Sequence, residues 1–472
     1  MDQSEVRAAV VDRWTGQVMP SLAALVEIPA LSPGFDADWA AHGHLRAAVD
    51  HVRAWIAARG LPGARFEVVE LEGCSPLLLA DVPATPGAAD KGTVILYGHL
   101  DKQPPVGGWS EGLGPWKAVV RDGRLYGRGA VDDGYSGYAA TTALEAVNAA
   151  GGEHARAVLL LETGEESGSS DLPAYMEHLA GQLGDVTLVV CLDAGGGDYE
   201  RLWLTQSLRG VVQATVTVRV LEKAQHSGLA SGIVPSSFRI MRQLLDRLED
   251  AATGEIRIAE MNVPIPDAAR AAAEQLVAFG LGPVMLDYPL VAGMRPADDD
   301  EIELLLNNTW RPTLSVIGGS GLPEPADAGN VLRTATTLKL SFRTPPTADG
   351  PAALDALEKA LTTDVPYGAQ VEITENLAMN GWSAPVPAPW LAAALGRIGD
   401  EVFGNELGNM GMGGSIPFME LLGRLYPQAQ FVVTGALGTD SNMHVPDEWL
   451  HIGFAQQVTE AIAHILDAHA RG

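Results

Sequence analysis

The sequence predicts an α/β fold, a mixed sheet covered by helices, with a smaller ferredoxin-like α+β domain inserted into it. Three observations carry that reading. Through roughly the first 206 residues, short apolar strands alternate with amphipathic helices, the pattern of a sheet with helices on both faces. Near Arg209 the texture changes to VVQATVTVRV at 211–220, a strict apolar and polar alternation that marks a strand with one solvated face. At 472 residues, the chain is also longer than one hydrophobic core usually supports. We therefore divide it into a discontinuous main domain, residues 1–208 and 385–472, and an inserted domain, residues 209–384.

Helical spacing of Val6, Val10, Val11, Trp14, Leu22, Leu25 and Val26 predicts a helix within 5–30, and 39–58 repeats the pattern before the Gly60-Leu61-Pro62-Gly63 break. Strands are expected at 66–71, 77–82 and 93–97, the last apolar throughout. An Asp122-Gly123 turn between short alternating runs predicts a hairpin over 119–126. The small-residue stretch GRGAVDDGYSGY leads into a helix ending near 149. A buried strand at 157–161 runs into ETGEESGSS, a helix follows at 171–183, and a buried strand at 186–192 ends in Asp193. Beyond Arg209 come a helix at 234–248, strands at 313–317 and 336–342, a helix at 352–361 and a strand at 370–375. With the strand at 211–220 this is the βαββαβ order of the split βαβ arrangement. Residues 255–311 read as an insertion of loops and a short helix, its acidic run 298–301 as a solvated face. After the Pro-rich 383–389, a helix at 390–403, a helix start near Ser415, a strand at 430–434 and a final helix at 454–468 complete the main domain.

Composition narrows the partners. With 31 basic residues against 59 acidic ones, the net charge of -28 argues against nucleic acid or an anionic membrane. The first residues lack a basic and apolar leader, and no apolar run is long enough to span a bilayer, so a cytoplasmic protein is expected. Cys74 and Cys191 stand far apart without a motif, which leaves neither a disulfide framework nor a thiolate zinc site. Any metal must be held by histidine and carboxylate.

Such residues recur at strand ends and in small-residue loops. His99 and Asp101 close the strand in VILYGHLDKQPP, where ligands of α/β sheets normally bind. His99 is read as a metal ligand and Asp101 as the carboxylate that orients its imidazole. Asp132 in GRGAVDDG, Glu165-Glu166 in ETGEESG, Asp193 in VVCLDAGG and His444 in GALGTDSNMHVPDEW follow the same logic. Each has a plainer reading: Asp132 and Asp133 as helix-capping acids, the glutamates as a solvated turn, Asp193 as a strand cap. Taken together, carboxylates at the ends of neighbouring buried strands converge on one rim, where their repulsion is costly unless cations neutralise it. Two histidines and three carboxylates suit a pair of divalent ions sharing one carboxylate, with one of the adjacent glutamates left free as a base. The sequence has neither a G-x-S-x-G elbow nor an HExxH helix, which disfavours a serine hydrolase and a single-zinc protease.

GHLD, GRGxxDDxG, ETGEESGS, LD followed by glycines, HSG and GTDSNxH, in that order over about 94–448, resemble the motif set of the co-catalytic dizinc metallopeptidases. That family includes carnosinase-type dipeptidases, aminoacylases and succinyl-diaminopimelate desuccinylase, and the carnosinase-like dipeptidases are the nearest in pattern. The resemblance implies that His99, Asp132 and Asp193 bind one zinc and Asp132, Glu166 and His444 the other, with Glu165 as general base. Mn2+ or Co2+ could replace Zn2+ at such a site. It makes the main domain catalytic and the insert a lid through which a homodimer forms. His226, in KAQHSGLASG, would cross the dimer interface to polarise the substrate carbonyl. Arg343 in LSFRTPP would bind the substrate carboxylate, with Asn330 as a further polar candidate. Ser415 sits where backbone amides at a helix start could also hold a carboxylate. Carnosinase-type members commonly carry Arg-Glu where this chain has Gly411-Met412 before Gly413-Gly414-Ser415, a lost charge pair that separates it from their substrate preference. The activity implied is hydrolysis of a dipeptide or similar small peptide. An N-acyl amino acid deacylase or related amidohydrolase is the alternative within the fold, and a catalytically silent metal or peptide-binding protein the alternative outside it.

Overall fold

The structure, a computed structural model, describes residues 1–282, 288, 290–414 and 416–472. The chain divides into two compact units. The first comprises Met1–Thr205, Ala384–Met410 and Leu421–Gly472, the second Gln206–Ser383 and Gly411–Glu420.

A six-stranded sheet organises the first unit, in the spatial order Arg65–Val69, Leu77–Val82, Arg156–Glu162, Thr93–His99, Val186–Cys191 and Gln430–Val433. The first two pairings are antiparallel and the remaining three parallel, so the sheet is mixed. Every residue of Thr93–His99 is buried, as a strand covered on both faces requires. Helices Gln3–Arg13, Ser136–Ala149 and Ile452–Arg471 pack into one apolar core with the sheet through Val10, Trp14, Tyr138, Leu144, Leu159, Val190, Phe454 and Ile462. Trp14 is fully buried, and its indole N–H donates to Thr459 Oγ1 at 3.0 Å, so its polar edge is satisfied inside that core.

The helix expected over 5–30 runs from Gln3–Arg13 through a π-turn at Trp14–Val18 into Met19–Val26. The one expected over 39–58 is broken at Gly43, whose φ of 68° ends Trp39–His42 before His44–Ala57 begins. The 119–126 hairpin forms as read, with Asp122 and Gly123 both left-handed, and gains a third strand, Trp449–His451, that the sequence did not announce.

In the second unit, four antiparallel strands lie in the order Thr313–Ser320, Ala335–Thr344, Gly210–Arg219 and Gln370–Met379. Helices Ser237–Leu245 and Gly350–Thr362 cover one face through a core of Val212, Ala214, Val216, Val218, Ile240, Leu244, Leu340, Phe342 and Leu357. The alternation at 211–220 thus puts its valines inward, which is the ferredoxin-like arrangement. The insertion is more ordered than its sequence suggested: helices Asp267–Ala278 and Glu301–Thr309 share a small core of Ala273, Leu306 and Trp310. Its acidic run is not merely a solvated face, because Asp300 caps the second of these helices, accepting the N–H groups of Ile302 at 2.8 Å and Glu303 at 3.4 Å. Among the described residues no helix is long and apolar enough to cross a membrane.

Candidate metal centre

Three neighbouring parallel strands of the first unit end on one edge of the sheet, and each delivers a polar residue there. His99 is the last residue of Thr93–His99, the turn Glu165–Ser167 follows Arg156–Glu162, and Asp193 follows Val186–Cys191. Gln430–Val433 lies beside Val186–Cys191 and leads into the loop bearing His444. Asp132 comes from the small-residue turn before Ser136–Ala149, and the Asp132–Asp133 peptide is cis. That turn can approach the His99 strand because residue 98 is glycine. A Cβ there would lie 2.0 Å from Ser136 Oγ and 2.6 Å from Asp133 Oδ2.

The five expected ligands and Glu165 converge. His99 Nε2 lies 3.3 Å from Asp132 Oδ1, 3.8 Å from Asp193 Oδ2 and 4.0 Å from Glu165 Oε2. His444 Nε2 lies 2.9 Å from Asp132 Oδ2 and 3.2 Å from Glu166 Oε2. The two oxygens of Asp132 therefore face two different imidazoles. One oxygen or nitrogen from each of His99, Asp132 and Glu166, and likewise from His99, Glu165 and Asp193, falls within 4.8 Å of the others. Among the described residues, Glu166 Oε1 is a buried oxygen with no hydrogen-bond partner. A cluster of imidazole and carboxylate donors with such an orphaned oxygen has the chemistry of a divalent-cation site. Distance alone does not separate the two glutamates. Glu166 is tied by His444 and by Gln103 Nε2, which donates to its Oε2 at 2.7 Å, and neither bond reaches Glu165.

Charge in the cluster is poorly balanced without cations. Burial pushes the Glu165 carboxyl well above the usual range, reinforced by Glu166, Asp132 and Asp101 and opposed by His99. Burial likewise raises Asp193. On His99, burial opposes charging, but hydrogen bonds to Asp101 and Asp132 outweigh it and raise the pKa well above that of a free imidazole. Asp132 and Glu166 raise His444 to about 10. Two imidazoles, even when protonated, face more carboxylates than they can neutralise.

Asp101 has a second task beside the one expected of it. His99 Nδ1 lies 3.1 Å from the Asp101 backbone carbonyl and 3.5 Å from its carboxylate. The carboxylate accepts the backbone N–H groups of Glu165 at 3.2 Å and Glu166 at 3.0 Å, so it organises the glutamate turn as well as the imidazole. Asp132 and Asp133 are not helix-capping acids, since the following helix starts at Ser136 with no acidic residue in its first turn. Two further residues have buried roles that the sequence reading did not give them. Asp133 Oδ2 accepts the His99 N–H at 3.2 Å, and buried Lys102 donates to the carbonyls of Leu25, Val26 and Ile28 at 2.8–3.1 Å. Lys102 directly follows GHLD and Gln103 comes next, which was the available signal.

The remaining candidates lie in the second unit. His226 ends the two-residue strand Gln225–His226, paired with Val331–Leu332, and is exposed. Its Nδ1 accepts the Gly228 N–H at 3.1 Å. Asn330 directly precedes the partner strand, and its carbonyl accepts the Ser227 N–H at 2.9 Å. Arg343 stands in Ala335–Thr344, opposite Thr313 on one side and Val211 on the other. Ser415 lies outside the described residues.

Comparison with known proteins places the site in context. The pattern of Peptidase family M20/M25/M40 matches residues 95–468. The cysteinylglycine-S-conjugate dipeptidase of Corynebacterium striatum is 26% identical over 361 residues, 76% of this chain and 77% of that protein. The Cys-Gly metallodipeptidase of Schizosaccharomyces pombe is 26% identical over 425 residues, 86% of each. Human carnosine dipeptidase 1 shares the fold, with a TM-score of 0.71 at 22% identity over 100% of both chains.

Proposed function

The chain belongs to peptidase family M20/M25/M40, and we propose that it is a metal-dependent dipeptidase with two divalent ions, zinc in the first instance, in its first unit. The observation that carries this reading is Asp132, whose two oxygens face His99 and His444 at 3.3 and 2.9 Å with half-buried Glu165 alongside. His99, Asp132 and Asp193 would hold one ion and Asp132, Glu166 and His444 the other. When bound, such a pair supplies an acidified water and a polarised substrate carbonyl. Glu165 takes the proton as water oxygen bonds to the carbonyl carbon, then delivers it to the amine as the C–N bond breaks. Burial and neighbouring carboxylates, which raise its proton affinity, suit a group that must hold that proton between the two steps.

The second unit supplies recognition on this reading. Arg343, Asn330 and Ser415 would receive the substrate carboxylate, and His226 of a second copy its carbonyl. A homodimer through this unit is supported by Leu229 and Ile233, 78% and 81% exposed close after His226, and by the edge strand Thr313–Ser320, which exposes Val316 and Ile317. The dipeptide preference is supported by the two dipeptidase relatives.

The test is a panel of dipeptides, tripeptides and N-acyl amino acids incubated with protein loaded with Zn2+, Mn2+ or Co2+, with Glu165→Ala alongside. Dipeptides should be cleaved only by the metal-loaded protein. Glu165→Ala should keep its metal and lose about 10²–10⁴-fold in kcat. Undiminished cleavage after chelation would overturn the mechanism, and turnover confined to N-acyl amino acids would replace the dipeptidase with a deacylase.

A further inference from the structure

Two loops far apart in sequence carry Asp132 and His444, and a buried ion pair that the proposed chemistry does not use joins them. Glu448 is 0% exposed and Arg128 1%. Glu448 Oε2 accepts from Arg128 Nη1 at 2.6 Å, and its Oε1 accepts the backbone N–H groups of Gly129 at 2.9 Å and of Val131 and Asp132 at 3.4 Å. Arg128 Nη2 donates to the Val445 carbonyl at 3.2 Å, and the Gly127 N–H donates to the Glu448 carbonyl at 3.0 Å. Every one of these bonds runs from the Asp132 loop to the segment that follows His444.

The expected ligands are held unequally. His99 ends a buried strand and is 0% exposed, whereas the His444 side chain is 49% exposed, and its backbone, like those of Asp440, Asn442 and Asp447, is left-handed, with φ of 57–65°. A histidine on such a loop has little packing of its own, so the clasp beside it decides where it stands. The loop has other fastenings: Asp447 accepts from Ser110 N at 2.9 Å and Trp449 N donates to the Ser441 carbonyl at 3.0 Å, neither of which ties it to the Asp132 loop. A buried ion pair is weak evidence for stability, because apolar residues of similar volume often replace it without cost. Its placement here points to geometry instead.

We infer that Arg128 and Glu448 are positioning residues that set the separation of His444 from Asp132 and so govern retention of one ion of the pair, the one held by Asp132, Glu166 and His444. The inference rests on the two-ion reading above.

Titration calorimetry with Zn2+, together with metal content after dialysis, tests it on the wild type, Glu448→Gln and the double variant Arg128→Met/Glu448→Leu. The double variant replaces both charges with apolar volume and protects against a misfolded single variant. Wild type should bind two ions. Both variants should bind the first ion as the wild type does and the second about 10–100-fold more weakly, with kcat recovered at high Zn2+. Equal weakening of both ions, or a second ion bound as in the wild type, would overturn the clasp. A wild type that binds no ion would instead sink the two-ion reading from which the clasp follows.

Discussion

The two units hold their candidate residues in opposite ways. In the first, His99, Asp132 and Asp193 are 0%, 5% and 8% exposed, and backbone or side-chain hydrogen bonds fix the turns that bear them. In the second, His226 is exposed on a strand of two residues, and Arg343 shares the strand face that does not contribute to the apolar core. The difference teaches what kind of inference each supports. Burying several carboxylates around two imidazoles is costly without compensating cations, so the first unit argues for metal from physics alone. An exposed histidine and a strand arginine carry no such cost, and the roles proposed for them rest on the pattern they share with a family.

The sharpest way to test that contrast is to remove the residue that faces both imidazoles. Asp132→Asn takes away the one carboxylate facing both imidazoles. It should strip the protein of bound metal and lower kcat by at least about 10³-fold. Arg343→Ala should leave metal content at the wild-type level and act through KM. Metal analysis of the two purified variants beside steady-state kinetics decides it: two full equivalents in Asp132→Asn would mean that the ligand set has been misassigned.

A smaller effect is expected from the second unit. His226→Ala should keep its metal and lose about 10²-fold in kcat, the worth of one preorganised donor to a developing oxyanion. If the histidine serves the neighbouring copy, mixing His226→Ala with Glu165→Ala should restore part of the activity, because a mixed dimer contains one site with both groups intact. Two inactive variants that stay inactive on mixing would return His226 to its own chain or to the surface.

What could be read from sequence follows the same contrast. His99, Glu165, Glu166 and Asp193 were legible because each follows an apolar run that can only be a buried strand, and strands 156–162, 93–99 and 186–191 lie side by side. The alternation at 211–220 likewise fixed which face of the second sheet is apolar. Glu448 was not legible, since an acid in PDEW has no periodicity or spacing to show that it will be fully buried against Arg128. Asp101 was recognised, but its bonds to the Glu165 and Glu166 amides were not, because they depend on where a second loop falls. One unplaced short helix was expected in 255–311 where two form, for a related reason: the stability of Glu301–Thr309 comes from packing on Asp267–Ala278 and from the Asp300 cap, neither of which appears as a strong local period.

Acid should separate the units as well. Of the 11 histidines, His226 is the one in the second unit, while the first buries His154 and His469 and half-buries His464 in environments that lower their pKa. His469 is the strongest case. It is 6% exposed, its Nε2 lies 2.9 Å from Thr187 Oγ1, and among the described residues its Nδ1 is a buried atom with no hydrogen-bond partner, so a second proton would have nowhere to point. Burial, aided by Lys91, brings its pKa from 6.5 down to about 4. Below pH 6.5 the unfolded chain therefore binds a proton that the folded chain refuses, and stability falls as pH drops from about 6.5 to about 4, by at most about 3 kcal/mol from this residue. Urea unfolding at pH 7 and pH 4.5 measures the effect, with His469→Gln expected to lose less stability between the two than the wild type does. If His469→Gln and the wild type lose stability in parallel, the acid sensitivity of the first unit resides elsewhere, with His154 and His464 the next histidines to replace.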